Sequence, residues 1–139
     1  MIRTLSLAAG SFFALSTAAF SAQTVYDCQA SNIEAHLGWI SDRIIVFVDE
    51  GQKSAHVIDQ YINYVHEEPI PASYQELKNG KFRIKWKVSG IPVRGEASGS
   101  ATWSATVSPK TGKLQIRANV SGFDNRPSGH GTCKISREK

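Results

Sequence analysis

Four basic residues alternate with apolar residues along one stretch of the chain that reads as a β-strand. Successive side chains of a strand face opposite ways, so these cations share one face, about 6 to 7 Å apart. A row of cations at that spacing suits a polyanion such as an anionic glycan, lipopolysaccharide or nucleic acid. A later strand adds two more cations to the same predicted face. The candidate binding surface consists of Lys81, Arg83, Lys85, Lys87, Lys113 and Arg117.

The same row also has an explanation that needs no ligand. Lysines on a solvated sheet face protect strands from pairing edge to edge with other chains. No aromatic residue interleaves on this face, which counts against base stacking and makes nucleic acid an unlikely partner. We therefore expect either an anionic polymer of the cell envelope or a protein as the partner.

A loop near the end of the chain is the second candidate site. It contains an aspartate and a histidine that could orient a water molecule or bind an anion, but no nucleophile motif accompanies them. Glycine, proline and asparagine in a loop also explain these residues by its shape alone. The loop candidates are Asp124, Asn125, Arg126 and His130. We predict no catalytic residue, no metal site and no cofactor.

The two cysteines, Cys28 and Cys133, lie near opposite ends of the predicted mature chain. In an oxidising compartment a disulfide is the expected state of such a pair. Closing a loop of about 100 residues stabilises the fold by about 4 to 5 kcal/mol in the chain-entropy account.

The first 21 residues have the pattern of a secretory signal peptide. A short start with one positive charge, Arg3, precedes an apolar run, and small residues follow it up to Ala22. Cleavage is predicted after Ser21 or Ala22. The sequence therefore predicts a periplasmic or secreted protein with one domain over residues 22–139.

Strict alternation of apolar and polar residues predicts three consecutive strands. They cover residues 81–88, 95–107 and 113–120, and a turn at Asn79-Gly80 precedes the first of them. A helical turn is expected between Ser31 and Gly38, where the spacing fits a capping box. The prediction is an all-β, antiparallel barrel of seven or eight strands, or a strongly curved sheet or sandwich, with one short helical turn.

Two stretches raise the question of what lies inside this barrel. The β-branched run from Arg43 to Asp49 predicts a strand covered on both faces. The inner face of residues 95–107 is mostly alanine and glycine, which leaves room for an apolar ligand. Close packing favours the alternative that large side chains fill this space. The candidates for filling it are Trp39, Phe47 and Tyr61.

Charge is divided unevenly along the chain. Residues 22–80 contain three Lys/Arg against nine Asp/Glu, a net charge of −6. Residues 81–139 contain twelve Lys/Arg against three acids, a net charge of +9. This asymmetry marks a basic surface for an anionic partner, or two halves that neutralise each other across one sheet.

The order of several motifs resembles the order of motifs in small exported alphaproteobacterial β-domain proteins of unknown function. The motifs are Tyr-x-Cys, Gly-Trp-Ile, a paired strand that ends in an Asp, Pro-x-x-Ala, an Asn turn before a Trp strand, and Gly-Phe-Asp-Asn before Gly-x-Cys. They correspond here to Tyr26, Cys28, Gly38, Trp39, Ile40, Asp59, Pro69, Ala72, Asn79, Trp86, Gly122, Phe123, Asp124, Asn125, Gly131 and Cys133. The resemblance implies a periplasmic or secreted setting and carries over no catalytic residue.

Three functions from different classes follow. The leading prediction is a non-enzymatic binding or interaction module of the cell envelope. The second is a periplasmic inhibitor of a secreted hydrolase, similar in size, export and single disulfide to lysozyme inhibitors. The third is a small hydrolase built on Asp124 and His130, which we rank last because no acid, base and nucleophile set converges in the sequence.

Overall fold

A computed structural model of the protein describes residues 23–31, 38–93, 96–124 and 126–137. The predicted signal peptide lies outside these residues, and so does most of the helical turn predicted before Gly38. No helix within the described ranges is long and apolar enough to cross a bilayer.

Eight antiparallel strands form a closed barrel in which each strand pairs with the next and the last pairs with the first. Closure leaves the sheet without an exposed edge. This confirms the predicted all-β barrel and decides against the open sheet and the sandwich. The strands are β1 Gln23–Ser31, β2 Arg43–Asp49, β3 Ser54–Ile58, β4 Ile70–Glu76, β5 Phe82–Val93, β6 Glu96–Val107, β7 Lys113–Val120 and β8 Ser128–Arg137.

One α-helix, α1 (Gln60–His66), lies between β3 and β4, and a 3-10 turn (Lys78–Gly80) joins β4 to β5. The connection that contains α1 lies at the same end of the barrel as the β1–β2, β5–β6 and β7–β8 connections. We call this the helix end and the opposite end, with three short turns, the turn end. Sequence reasoning missed α1, although Asp59 is a good helix N-cap residue. Its side chain accepts a hydrogen bond from the backbone N–H of Ile62 at 2.8 Å.

The period-two pattern of β5 and β7 sorts their side chains as predicted. Along β5 the apolar residues from Phe82 to Val88 are buried, and along β7 those from Leu114 to Val120 are buried. The basic and polar residues between them point outward. Asn79 and Gly80 both have positive φ, 66° and 74°, as expected for the Asn-Gly turn before β5.

Large side chains fill the barrel interior opposite the small residues of β6. Trp103 is fully buried between Trp86 of β5 and Ala118 of β7, and Trp86 and Trp103 stack with ring centroids 6.1 Å apart. Ala105 likewise lies between Ile84 and Ile116. Around these residues, large side chains therefore pack against small ones and fill the interior, which is the alternative that close packing favours.

The prediction for β2 was wrong in one respect. Ile44, Val46 and Val48 point into the core, but Ile45 and Phe47 lie on the outside of the barrel and are only half-buried. A barrel wall has one interior face, so its β-branched strand is covered on one side only. Of the three side chains expected to fill the interior, Phe47 is therefore excluded, whereas Trp39 and Tyr61 pack against the core.

The two chain ends meet where β1 pairs with β8. Cys28 and Cys133 face each other in register and form the predicted disulfide. Two positions along β8, a Cβ on Gly131 would collide with the Gln29 carbonyl oxygen and lie 2.9 Å from the Ala30 Cα. Glycine therefore allows the close approach of the two strands beside the disulfide. The sequence predicts the last strand over residues 132–136, after a loop rich in Gly, Asn and Pro, whereas β8 begins earlier, at Ser128.

Candidate functional site

A basic groove runs along the outside of the barrel over β5, β6 and β7. Long cationic side chains of β5 and β7 form its sides, because both strands alternate basic or amide residues with core residues. Its floor consists of the outward side chains of β6, which are short hydroxyl residues from Thr102 to Thr106. The difference in side-chain length makes a depression on a wall that is otherwise convex.

The pairing of β6 with β5 and β7 determines which side chains face each other across the groove. Ser104 pairs with Lys85 on one side and with Arg117 on the other. Two strand spacings separate the backbones of Lys85 and Arg117, which is about 10 Å. Thr106 lies in the same way between Arg83 and Gln115. Outward side chains of β5 and β7 that can donate hydrogen bonds thus face each other across the hydroxyl groups of β6.

The groove has a volume of about 590 Å³. Arg126 adds a fourth cation from the β7–β8 loop. That loop is tied to β6 by two hydrogen bonds, from the Ser121 N–H to the Ser100 carbonyl at 3.0 Å and between their hydroxyls at 2.9 Å. The side chains that line the groove are Arg83, Lys85, Thr102, Ser104, Thr106, Gln115, Arg117, Asn119 and Arg126.

The structure thus brings together members of both predicted sites. Arg83, Lys85 and Arg117 of the basic row meet Arg126 of the loop. The other three predicted cations do not line the groove. Lys87 continues the row along β5 toward the helix end, while Lys81 and Lys113 lie at the turn end.

Two of the remaining loop candidates, Asp124 and His130, lie within the described residues and make no bond to each other. His130 points outward from β8, where it pairs with Gln115 and Ser31. Among the residues that the structure describes, no hydrogen bond or ion pair joins Asp124 to His130, and no cluster suits a metal ion. Asn125 lies outside the described residues. The hydrolase and hydrolase-inhibitor hypotheses stay untested predictions.

The two halves of the chain occupy opposite halves of the barrel wall. Strand order around the barrel follows chain order, so the acidic half supplies β1–β4 and the basic half supplies β5–β8. Both ion pairs found within the described ranges, Asp27–Arg43 at 2.8 Å and Lys53–Glu76 at 3.5 Å, belong to the acidic half. Mutual neutralisation of the halves therefore gains no support from these ion pairs.

A stack of aromatic rings leads from the core to the surface at the helix end. From Trp103, the stack continues through Tyr61 of α1 at 5.6 Å to Trp39 at 5.8 Å, and Phe123 of the β7–β8 loop lies 6.4 Å beyond. The Trp103 indole N–H donates a hydrogen bond to the Trp39 carbonyl at 2.8 Å, and the Tyr61 hydroxyl donates one to the Gly38 carbonyl. These bonds fix Trp103, Tyr61 and Trp39, whereas Phe123 is tilted by 50° against Trp39 and is 49% exposed.

Asp59 is a buried acid at the same end of the barrel. Burial raises its pKa above the ordinary aspartate value, although the N–H groups of Ile62 and Tyr61 favour the charged form. Ser41 and Trp86 lie near enough to its carboxylate to lower the pKa, yet the Ser41 hydroxyl and Trp86 indole N–H make no hydrogen bond of normal geometry. Asp59 therefore caps α1, although its burial disfavours the charged form of its carboxyl group.

Sequence reasoning missed two parts of this arrangement. The hydroxyl floor is visible in the sequence as the alternation of Ser and Thr in residues 98–106, but uncharged hydroxyl groups on a solvated strand face do not by themselves predict a binding site. The pairing of Phe123 with Trp39 had no local signal, since the two residues are far apart in the chain.

No family model, curated protein or solved structure matches this chain. The resemblance to exported alphaproteobacterial proteins therefore stays a prediction.

Proposed function

We propose that the protein is an exported, non-enzymatic binding module of the cell envelope whose basic groove binds an anionic polymer. The observation that carries this proposal is the convergence of four cations, from β5, β7 and the β7–β8 loop, on one hydroxyl-floored groove. The disulfide supports an exported setting, because such bonds persist in oxidising compartments.

The charges of the groove give a physical reason for anion binding. Two like charges about 10 Å apart, the separation of the Lys85 and Arg117 backbones, repel by about 0.4 kcal/mol in bulk water before salt screens them. Neither ion pair found within the described part of the chain involves a cation of the groove. An anion placed between Lys85 and Arg117 would interact favourably with both and remove part of their mutual repulsion.

A polymer fits better than a small anion because the cations are distributed along the strands. Arg83 and Lys85 lie about 7 Å apart on β5, and Arg126 extends the positive surface past the end of β7. Serine, threonine and amide side chains between the cations offer hydrogen bonds to the uncharged polar groups of a polymer.

The test compares two variants that lose the same charge at different places. Lys85→Gln/Arg117→Gln removes one cation from each side of the groove, and Lys78→Gln/Lys110→Gln removes two exposed cations at the turn end. Heparin serves as the probe, with affinity measured by titration calorimetry from 50 to 200 mM NaCl. We expect the groove variant to bind about tenfold or more weakly and with a shallower salt dependence.

The control variant separates a specific groove from overall charge. It should keep most of the wild-type affinity, since its cations lie outside the groove. Equal weakening in the two variants would mean that net charge alone attracts heparin. Unchanged binding in the groove variant would show that the groove is not the heparin-binding site.

A further inference from the structure

The β7–β8 loop connects the basic groove to the exposed end of the aromatic stack. Arg126 lines the groove, and Phe123 precedes it by three residues, which span at most about 10 Å. The loop is anchored at both ends, since the Phe123 N–H bonds the Val120 carbonyl at 3.1 Å and the Ala118 N–H bonds the Pro127 carbonyl at 2.8 Å. The exposed ring therefore belongs to the same loop as one cation of the groove and lies within about 10 Å of it along the backbone.

Phe123 and Trp39 form an aromatic platform at the helix end of the barrel, beside the groove. Their ring centroids are 6.4 Å apart, and Trp39 is fixed from below by Tyr61 and by the bond from Trp103 to its carbonyl. Phe123 keeps about half of its surface in water, although burying a phenylalanine side chain fully is worth about 1.5 to 3 kcal/mol. An exposed ring on a fixed support is suited to stacking with the flat face of a ligand.

The chemistry of the groove indicates which polymer brings such a face. Sugar hydroxyls match the hydroxyl and amide groups of Thr102, Ser104 and Asn119, and the C–H face of a sugar ring is apolar enough to stack on an aromatic ring. The groove itself has no aromatic side chain among its outward-facing lining residues, so bases of a nucleic acid would find nothing to stack on along its length.

We propose that the groove and the Phe123–Trp39 platform form one binding site for an anionic oligosaccharide. The acidic groups of the sugar lie between the cations of β5 and β7, and a sugar ring beyond Arg126 stacks on Phe123. This inference rests on the proposed function, because it names the class of polymer that the groove binds.

Three probes separate charge from stacking in the disulfide-bonded protein. A heparin-derived hexasaccharide carries both anionic groups and sugar rings, inorganic polyphosphate carries anionic groups alone, and an oligothymidylate carries phosphates and bases. Phe123→Ala removes the exposed ring, while Tyr64→Ala removes a ring that is 70% exposed on α1 and serves as the matched control. Affinities are measured by titration calorimetry at one salt concentration.

We expect Phe123→Ala to weaken hexasaccharide binding about fivefold to tenfold and to leave polyphosphate binding unchanged. Tyr64→Ala should change neither. Lys85→Gln/Arg117→Gln should weaken both probes. If that double variant binds both probes like the wild type, the proposed function fails. If it weakens both while Phe123→Ala binds the hexasaccharide like the wild type, only the aromatic platform fails.

Tryptophan fluorescence gives a second readout that does not depend on affinity. Of the three tryptophans, Trp86 and Trp103 are buried and Trp39 is half-buried, so only Trp39 can report a ligand on the platform. The hexasaccharide should shift the emission, polyphosphate should not, and Trp39→Phe should abolish the shift. Tighter binding of oligothymidylate than of the hexasaccharide, lost in Phe123→Ala, would overturn the choice of a glycan in favour of a single-stranded nucleic acid.

Discussion

Replacing Asp59 tests how a buried acid holds α1 on the barrel. Asp59→Asn keeps a side-chain oxygen that can accept the Ile62 N–H bond, but it carries no charge. Asp59→Ala removes the acceptor as well and leaves a buried N–H without a partner. Loss of an N-cap typically costs about 1 kcal/mol, and an unsatisfied buried group costs about 1 to 3 kcal/mol. We expect Asp59→Ala to be less stable than Asp59→Asn by about 1 to 2 kcal/mol at every pH.

The pH dependence of wild-type stability follows from the raised pKa of Asp59. Because burial raises the pKa in the folded state, the folded protein binds this proton more tightly than the unfolded chain does. This contribution to the free energy of unfolding is fully present below the ordinary aspartate pKa of about 3.9 and is lost as pH rises through the folded value. Each unit by which the pKa is raised corresponds to about 1.4 kcal/mol.

The assay is urea unfolding followed by tryptophan fluorescence at pH 4, 5.5 and 7. Other carboxyl groups titrate over the same range, so the quantity of interest is the difference between Asp59→Asn and the wild type. We expect that difference to grow in favour of Asp59→Asn as pH rises. Asp42→Asn, at an exposed acid of the same barrel end, is the control and should show a much smaller trend.

The opposite trend would refute the reasoning. If the wild type gained stability over Asp59→Asn as pH rose, the hydrogen bonds to the carboxylate would outweigh its desolvation. The result also bears on the binding site, because α1 supplies Tyr61 to the aromatic stack. Loosening α1 in Asp59→Ala should therefore weaken hexasaccharide binding more than polyphosphate binding.

Two further predictions concern the seam between β1 and β8. Gly131→Ala places a Cβ against the Gln29 carbonyl and should lower the free energy of unfolding by about 1 to 3 kcal/mol in urea, whereas His130→Ala, on the outer face, should change it by less than about 0.5 kcal/mol. A neutral Gly131→Ala would show that the two strands separate there without cost. Replacing both Cys28 and Cys133 by serine should cost about 4 kcal/mol in the same assay, and a loss below about 1 kcal/mol would indicate that residual structure already restrains the unfolded chain.

Local pattern was enough to predict much of the barrel wall. Alternation of apolar and polar residues located β5, β6 and β7 and assigned their faces, because side-chain direction in a strand depends only on position along it. The Asn79-Gly80 turn was predictable for the same reason, since positive φ is a property of those two residues. Helix α1 was missed because it is seven residues long and depends on one cap, Asp59, and on packing against the barrel.

Some parts of the candidate site were within reach of the sequence and others were not. The cationic row of β5 and the cations of β7 were found as separate features on one predicted face. That Arg126 joins them depends on the path of the β7–β8 loop and on its bonds to β6. The contact between half-buried Trp39 and exposed Phe123 depends on closure, because the β1–β2 and β7–β8 connections meet only at the helix end of a finished barrel.

By itself, the sequence determined strands β5, β6 and β7 with their inner and outer faces, the turn before β5, the disulfide partners and the uneven division of charge. These properties depend on residues close in the chain or, for the two cysteines, on there being one possible pair. Only the tertiary structure decided that the sheet closes, that Phe47 lies outside, and that cations from two strands and a loop enclose one groove. Whether a sheet closes depends on the twist accumulated over all its strands and on the register between them. No short stretch of sequence encodes that combined property.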